Sequence, residues 1–339
     1  MSTKGWLSPV LHSLRHPSDP GPLWLFPHPL AWLATIAIIA VDGLWLLVSD
    51  MRIINAGKAI TGVPVLLLVM VLLVSAIGGR RMVIASLMAF MIINLFGQSG
   101  RVLNYLGVGL GLPLRDAALA SMDAWLGFDW LAYVKFVNGH ELVRQVLRRA
   151  YEFSALPIAA MWLAATGRME RLRAFTLMFI ITATTTIIIG SLLPALSAFT
   201  QYNPGPETIG NLPQDAGRKF VAHAAGFNSG EMRVIDMTRM MGIVALPSFH
   251  TIMALIAPWS LRGTLLFWPS ALLAALVILA TPVYGGHYMV DIIAGAAVFF
   301  ATAWALRRLG LDGARDLGAR HTMTRGKQPP GMDRPQPAA

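Results

Sequence analysis

The chain has 339 residues, of which 55% are hydrophobic and 13% charged, with a mean hydropathy of +0.60; this is the profile of a polytopic membrane protein rather than of two soluble domains. Its net charge of +10 comes from basic residues at the ends of apolar runs, with no continuous basic face, which argues against a nucleic-acid partner and for membrane topology. The absence of cysteine excludes disulfides, thiolate metal ligands and a cysteine nucleophile.

Taken in order, residues 1–29 are rich in Pro and His and read as a short cytoplasmic tail. Crossing about 30 Å of hydrocarbon takes close to twenty apolar residues. Such runs fall at 30–49, 60–77, 82–98, 146–166, 174–199, 243–260, 264–283 and 287–306, which predicts an all-α integral membrane protein of about eight transmembrane helices. We divide it into the tail, a 30–145 region of N-terminal membrane helices with an interfacial segment, a 146–308 catalytic membrane bundle, and a basic 309–339 tail expected to be disordered and cytoplasmic.

Lys and Arg in short loops favour the cytoplasm. Arg80 and Arg81, then Arg168, Arg171 and Arg173, then Arg262 and Arg307 all fall on one side of an eight-span arrangement. Both termini are then cytoplasmic, and the runs beginning near 243 and 287 start on the extracytoplasmic side.

Segment 101–144 is too interrupted by charge and glycine to span cleanly. Within it Leu114, Ala118, Leu119, Met122 and Leu126 share one face, with Arg115, Asp116 and Asp123 elsewhere, the pattern of a helix lying in the membrane interface. No chemistry follows for Asp116 and Asp123. The loop 200–242 opens with Asn203-Pro204-Gly205-Pro206, strong turn material, and then carries Arg218, Lys219, Arg233 and Arg239. A loop of this length leading into an active site suits substrate recognition.

Two stretches carry the chemistry: Gly242 to His250, containing Pro247-Ser248-Phe249-His250, and Tyr284 to Asp291, containing Gly285-Gly286-His287-Tyr288. His287 and Asp291, four residues apart, share one helix face, so the carboxylate can accept a hydrogen bond from one ring nitrogen and leave the other free as a nucleophile. Ser248 adds a hydroxyl donor and His250 a second titrating group. A zinc site built from the two histidines and the aspartate is the chemical rival, but no His-Glu-x-x-His pair or equivalent occurs, so neither metal nor cofactor is expected.

These stretches resemble the second and third signature motifs of the type 2 phosphatidic acid phosphatase superfamily, Pro-Ser-Gly-His and Ser-Arg-x5-His-x3-Asp. The resemblance implies a six-helix phosphatase-like bundle with added N-terminal helices. It also implies that His287 attacks phosphorus to form a phosphohistidine, Asp291 orients it, His250 protonates the leaving oxygen, and Ser248 holds a phosphate oxygen. The departures lie in the basic clamp. Phe249 replaces a glycine within the substrate-binding stretch, Ala280-Thr281 stand where Ser-Arg belongs, and Thr186 and Leu193 stand where the Lys-x6-Arg-Pro motif has its cations.

That pattern is similar to the divergent branch containing the inositol phosphorylceramide synthases, which transfer a phospho-headgroup between lipids. The resemblance thus implies a phospholipid or lipid phosphate substrate, with ceramide or diacylglycerol as acceptor. Without its clamp the site suits a phosphodiester better than a phosphomonoester dianion. Arg101, Arg233 and Arg239 are the candidates to restore the missing charge. A lipid phosphate phosphatase and a non-enzymatic transporter or scaffold stand as alternatives.

Overall fold

A computed structural model describes residues 26–60, 72 and 80–314; most of each predicted tail and most of the 60–77 run lie outside them. The principal helices are α1 (Pro29–Val48), α2 (Arg80–Val108), α3 (Asp116–Trp125), α4 (Trp130–Gly139), α5 (Glu141–Glu152), α6 (Leu156–Ala165), α7 (Met169–Leu192), α8 (Val221–Ser229), α9 (Phe249–Leu261), α10 (Phe267–Tyr284) and α11 (Met289–Arg308). Among the described residues five helices are long and apolar enough to cross a membrane: α1, α2, α7, α10 and α11. Two shorter apolar helices, α6 and α9, accompany them. The chain is a multi-pass membrane protein, and its outward apolar side chains suit a lipid solvent: Leu47, Leu265, Trp268 and Trp304 are all exposed.

Several boundaries differ from the sequence expectation, each for a local reason. The 146–166 run divides into α5 and α6, because Pro157 at the start of α6 has no N–H for the Phe153 carbonyl and its ring would clash there. Helix α2 continues ten residues past the expected end at 98, so Arg101 lies within a long helix rather than in a loop. Helix α9 begins only at Phe249, since Pro247 cannot donate and Ser248 caps the first turn, its hydroxyl 3.4 Å from the Thr251 N–H.

The main core joins α1, α2, α6, α7, α9 and α11 through residues such as Phe96, Leu163, Leu177, Ile256 and Phe299. A second cluster, centred on Trp130, Val134, Phe199 and Tyr288, packs α3 and α4 onto the junction between α10 and α11. A third binds the end of α2 to α8 and to a feature absent from the sequence expectation: a two-stranded parallel sheet. In it β1 (Arg52–Ile54) pairs with β2 (Val234–Asp236), Ile53 opposite Ile235, which ties the 200–242 loop to the chain just after α1.

Candidate active site

The junction between α10 and α11 sets the first histidine. Helix α10 ends at Tyr284, and Gly286 turns the chain with φ +67°, a conformation that disfavours any side chain. The Gly286 carbonyl accepts from the Ala198 N–H at 2.8 Å and from the Ser197 hydroxyl at 3.1 Å, docking the turn onto the neighbouring loop. Asp291, in the first turn of α11, then accepts two hydrogen bonds on one oxygen: the Tyr288 N–H at 2.9 Å and His287 Nδ1 at 3.2 Å. One carboxylate thus caps the helix and fixes the imidazole, leaving Nε2 as the nitrogen Asp291 does not engage. Both residues are buried.

The second histidine comes from the first turn of α9. The Ser248 N–H donates to the Asp291 carbonyl at 2.9 Å, joining the two stretches through the backbone. Gly295 on α11 allows this approach, since a Cβ there would lie 2.5 Å from the Ser248 carbonyl oxygen. The rings of His250 and His287 are consequently 6.2 Å apart between centroids, inclined at 65°. Tyr151 of α5 stacks on His250 and brings its hydroxyl to 3.2 Å from His250 Nδ1. Nothing in the sequence marks Tyr151, because its helix contributes only a fragment of an apolar run.

The two aspartates of α3 turn out to hold this arrangement in place. At α3, Asp116, Leu119 and Asp123 are buried, whereas Leu114, Met122 and Leu126 are exposed. The carboxylates face inward because backbone donors await them. Asp123 accepts from Met289 N–H at 2.8 Å and Val290 N–H at 2.9 Å, the free donors of the first turn of α11. Burial raises the Asp123 carboxyl above its ordinary range, and these two donors pull it part of the way back. Asp116 accepts from Leu196 N–H at 2.9 Å, Ser197 N–H at 3.0 Å and the Tyr288 hydroxyl at 3.0 Å. Trp130 of α4 completes the support, its indole N–H donating to the His287 carbonyl at 3.2 Å.

Both histidines line one cavity of about 610 Å³, walled by apolar residues from α2, α7 and α9 such as Phe96, Phe179, Ile187 and Met253. Phe249 also lines it, its ring 5.7 Å from that of Phe179. Ser248 does not: its hydroxyl is wholly buried and sits 3.2 Å from that of Thr251. Arg233 and Arg239 are also outside the lining. Arg233 lies 3.4 Å from Asp50, and Arg239, its side chain 81% exposed, lies 3.9 Å from Asp236. The cavity's cations are Arg101 from α2 and Lys219 from the loop, so the site carries positive charge even though Thr186, Leu193 and Thr281 hold the expected clamp positions. Tyr151 and His250 also line a second, smaller cavity of about 240 Å³, together with Glu152, Ser270 and Ala274. Among the described residues no group of three or more His, Asp or Glu is arranged to hold a metal ion.

The model of the PAP2 superfamily matches residues 117–305, more than half of the chain. The matched segment includes His250, His287 and Asp291 and begins one residue after Asp116. No curated protein and no solved structure matches the chain.

Proposed function

We propose, from the premise that this chain belongs to the PAP2 superfamily, that it transfers a phospho-headgroup from a phospholipid to a lipid hydroxyl through a phosphohistidine. The observation that carries the reading is His287, held at Nδ1 by Asp291 and facing His250 across the wall of one apolar cavity. In the first half-reaction His287 Nε2 attacks phosphorus, the P–O bond to the leaving alcohol breaks, and His250 supplies the proton that the leaving oxygen takes up. In the second, the acceptor hydroxyl attacks the phosphohistidine, the P–N bond breaks, and the hydroxyl proton returns to His250. Neither half-reaction calls for a metal ion.

The second cavity favours a lipid acceptor, because it gives His250 a separate space in which an apolar alcohol can lie. Hydrolysis is the competing reading, and a specific observation favours it: Arg101 and Lys219 put into the cavity the charge that a phosphomonoester dianion needs. The electrostatic preference for a phosphodiester drawn from the missing clamp residues loses its basis there. We place the site on the extracytoplasmic side and both termini in the cytoplasm, from the charge of the short loops. Eight spans around a six-helix catalytic bundle remain our reading of the whole chain.

The deciding experiment incubates the purified protein with a phospholipid labelled in its headgroup phosphate, with and without ceramide or diacylglycerol. Labelled new lipid that appears only with acceptor supports transfer, whereas free phosphate in both reactions replaces it with hydrolysis. Neither product from folded protein would end the enzymatic reading. His287→Ala and His250→Ala should each lower the rate by about 10² or more while leaving the melting temperature near that of the parent. A chelator should leave the rate unchanged.

A further inference from the structure

The chain lacks the three cations of the superfamily clamp, yet one wall of the cavity holds donors with nothing to donate to. Thr186 is the first of these. Its neighbours Thr182, Thr184 and Thr185 each donate to the carbonyl four residues back, at 2.7 to 2.9 Å, as threonines in apolar helices commonly do. Thr186 alone of this run does not. Its hydroxyl is buried and has no hydrogen-bond partner among the described residues, and the residue is part of the cavity lining.

Asn104 is the second. The Ile243 N–H donates to its Oδ1 at 3.3 Å, which fixes the amide so that Nδ2 is the remaining end. That nitrogen is also buried without a partner among the described residues, in a side chain only 3% exposed that lines the same cavity. A buried amide donor left without an acceptor is costly, because its desolvation is not repaid. Two such groups on one wall therefore point to a ligand that accepts hydrogen bonds.

Arg101 supplies the charge. It lies one helical turn before Asn104 on α2, and its Nε donates to the Gly97 carbonyl at 3.0 Å, which orients the guanidinium. Among the described residues it makes no ion pair, so its charge is uncompensated within the cavity wall. Packing of α2 on α7 brings it to the gap in the clamp. Phe96 meets Phe179 with ring centroids 6.1 Å apart, and a Cβ on Gly100 would lie 3.2 Å from Ile187 Cδ1. Residue 100 thus comes beside Ile187, and Arg101 lines the same cavity as Thr186, where the superfamily motif would place its first cation.

We propose that Arg101, Asn104 and Thr186 form a relocated receptor for the non-bridging phosphoryl oxygens, with Arg101 as its principal binding residue. The inference rests on the phosphoryl-transfer reading above. It assigns a substrate-binding role to helix α2, which precedes the family-matched segment. Arg101 replaces charge missing from α7, and the guanidinium and amide offer several donors to a tetrahedral anion.

Orthovanadate, a phosphate mimic that needs no turnover, tests it directly. Vanadate binding, read by calorimetry and by the rise in melting temperature, is compared in wild type, Arg101→Gln, Arg101→Met, Arg101→Lys, Asn104→Asp and His287→Ala, beside KM and kcat for the phospholipid. Asn104→Asp keeps the acceptor for Ile243 while replacing the donor with a like charge. Arg101→Gln, Arg101→Met and Asn104→Asp should each weaken vanadate and raise KM by about 10- to 100-fold, as expected for a lost charge-assisted hydrogen bond, with Arg101→Lys intermediate. Unchanged vanadate affinity and KM in folded Arg101→Gln or Arg101→Met would overturn the receptor, even with His287→Ala inactive. Wild type that binds no vanadate would overturn it too. Wild type that binds vanadate through Arg101 but turns over no phospholipid would uphold the receptor and remove the enzymatic reading instead.

Discussion

Replacing Asp123 with asparagine probes whether α3 holds the catalytic turn or merely covers it. The carboxylate accepts the N–H groups of Met289 and Val290 at 2.8 and 2.9 Å. Asparagine keeps one oxygen for one of them and turns its own amide hydrogens toward the other, leaving a buried donor unmade at a cost of about 1–3 kcal/mol. Losing a negative charge at the start of α11 adds about 0.3–1 kcal/mol. Part is recovered, because burial raises the Asp123 carboxyl and the neutral amide escapes that penalty. The net expectation is a loss of about 1–3 kcal/mol for Asp123→Asn, and about 2–6 kcal/mol for Asp123→Ala, which strands both donors. Since Met289 and Val290 lie between His287 and Asp291, a loosened first turn also displaces His287, the proposed nucleophile. A misplacement of about 1 Å costs on the order of 100-fold in rate, so kcat should fall about 10- to 100-fold with a smaller change in KM. Thermal unfolding in detergent and steady-state kinetics on the same preparations measure both. A parent-like melting temperature and kcat in Asp123→Asn would refute the anchoring role.

Gly286→Ala should be among the most damaging single changes: left-handed backbone costs a non-glycine residue about 1–2 kcal/mol, and the new methyl would run into the Gly217 carbonyl oxygen and the Ser197 hydroxyl. Activity and folded yield should fall together. The cysteine-free chain offers a clean background for labelling with a membrane-impermeant reagent: Ser229→Cys and Ala314→Cys, both at exposed positions, should react from opposite sides of the membrane. Labelling of both from one side would reject the proposed orientation. Asp236 offers a pH prediction. Hydrogen bonds from the Thr238 hydroxyl and N–H, at 2.7 and 3.0 Å, hold its carboxyl below the ordinary range. Its contribution is therefore present above the unfolded value of about 3.9 and is lost as pH falls through the lower folded value. The protection of the Thr238 amide, its exchange relative to the unstructured rate at the same pH, should fall only in that acid window, and in Asp236→Asn that pH dependence of protection should disappear.

The sequence makes some of this arrangement legible and hides the rest for definite reasons. His287 and Asp291 are readable because the pair is local in sequence, although the shared helix face expected for it is not what joins them: His287 lies in the turn just before α11, and Asp291 reaches it as the residue that caps that helix. His250 is readable through its Pro-Ser-x-His context. Long apolar runs mark α1, α7, α10 and α11, since a stretch of about twenty apolar residues matches the thickness of the hydrocarbon layer and exceeds what a soluble core helix buries. The inward placement of Asp116 and Asp123 is hidden because periodicity counts apolar side chains and cannot see the distant donors that await them: the Leu196 and Ser197 N–H groups and the Tyr288 hydroxyl for Asp116, and the first N–H groups of α11 for Asp123. Tyr151 carries no signal for the same reason, being placed by tertiary packing alone. Arg233 and Arg239 suit recognition by their loop position, yet both lie outside the cavity, whereas Arg101 enters it because α2 continues beyond the expected end. The parallel ladder of β1 and β2 joins three-residue strands, too short for a two-residue period to register.

That ladder has a consequence for any attempt to isolate the family-matched segment. Excising residues 117–305 would leave β2 with an unpaired edge and strip Ile235 of its cross-strand neighbour. It would also take away α2 and, with it, the cavity wall that carries Arg101 and Asn104. The excised fragment would keep His250, His287 and Asp291 while losing one side of the chamber around them. The proposed catalytic group and the proposed binding surface are thus distributed over parts of the chain that pack against one another, and the smallest piece expected to handle a substrate is considerably larger than the piece that bears the motifs.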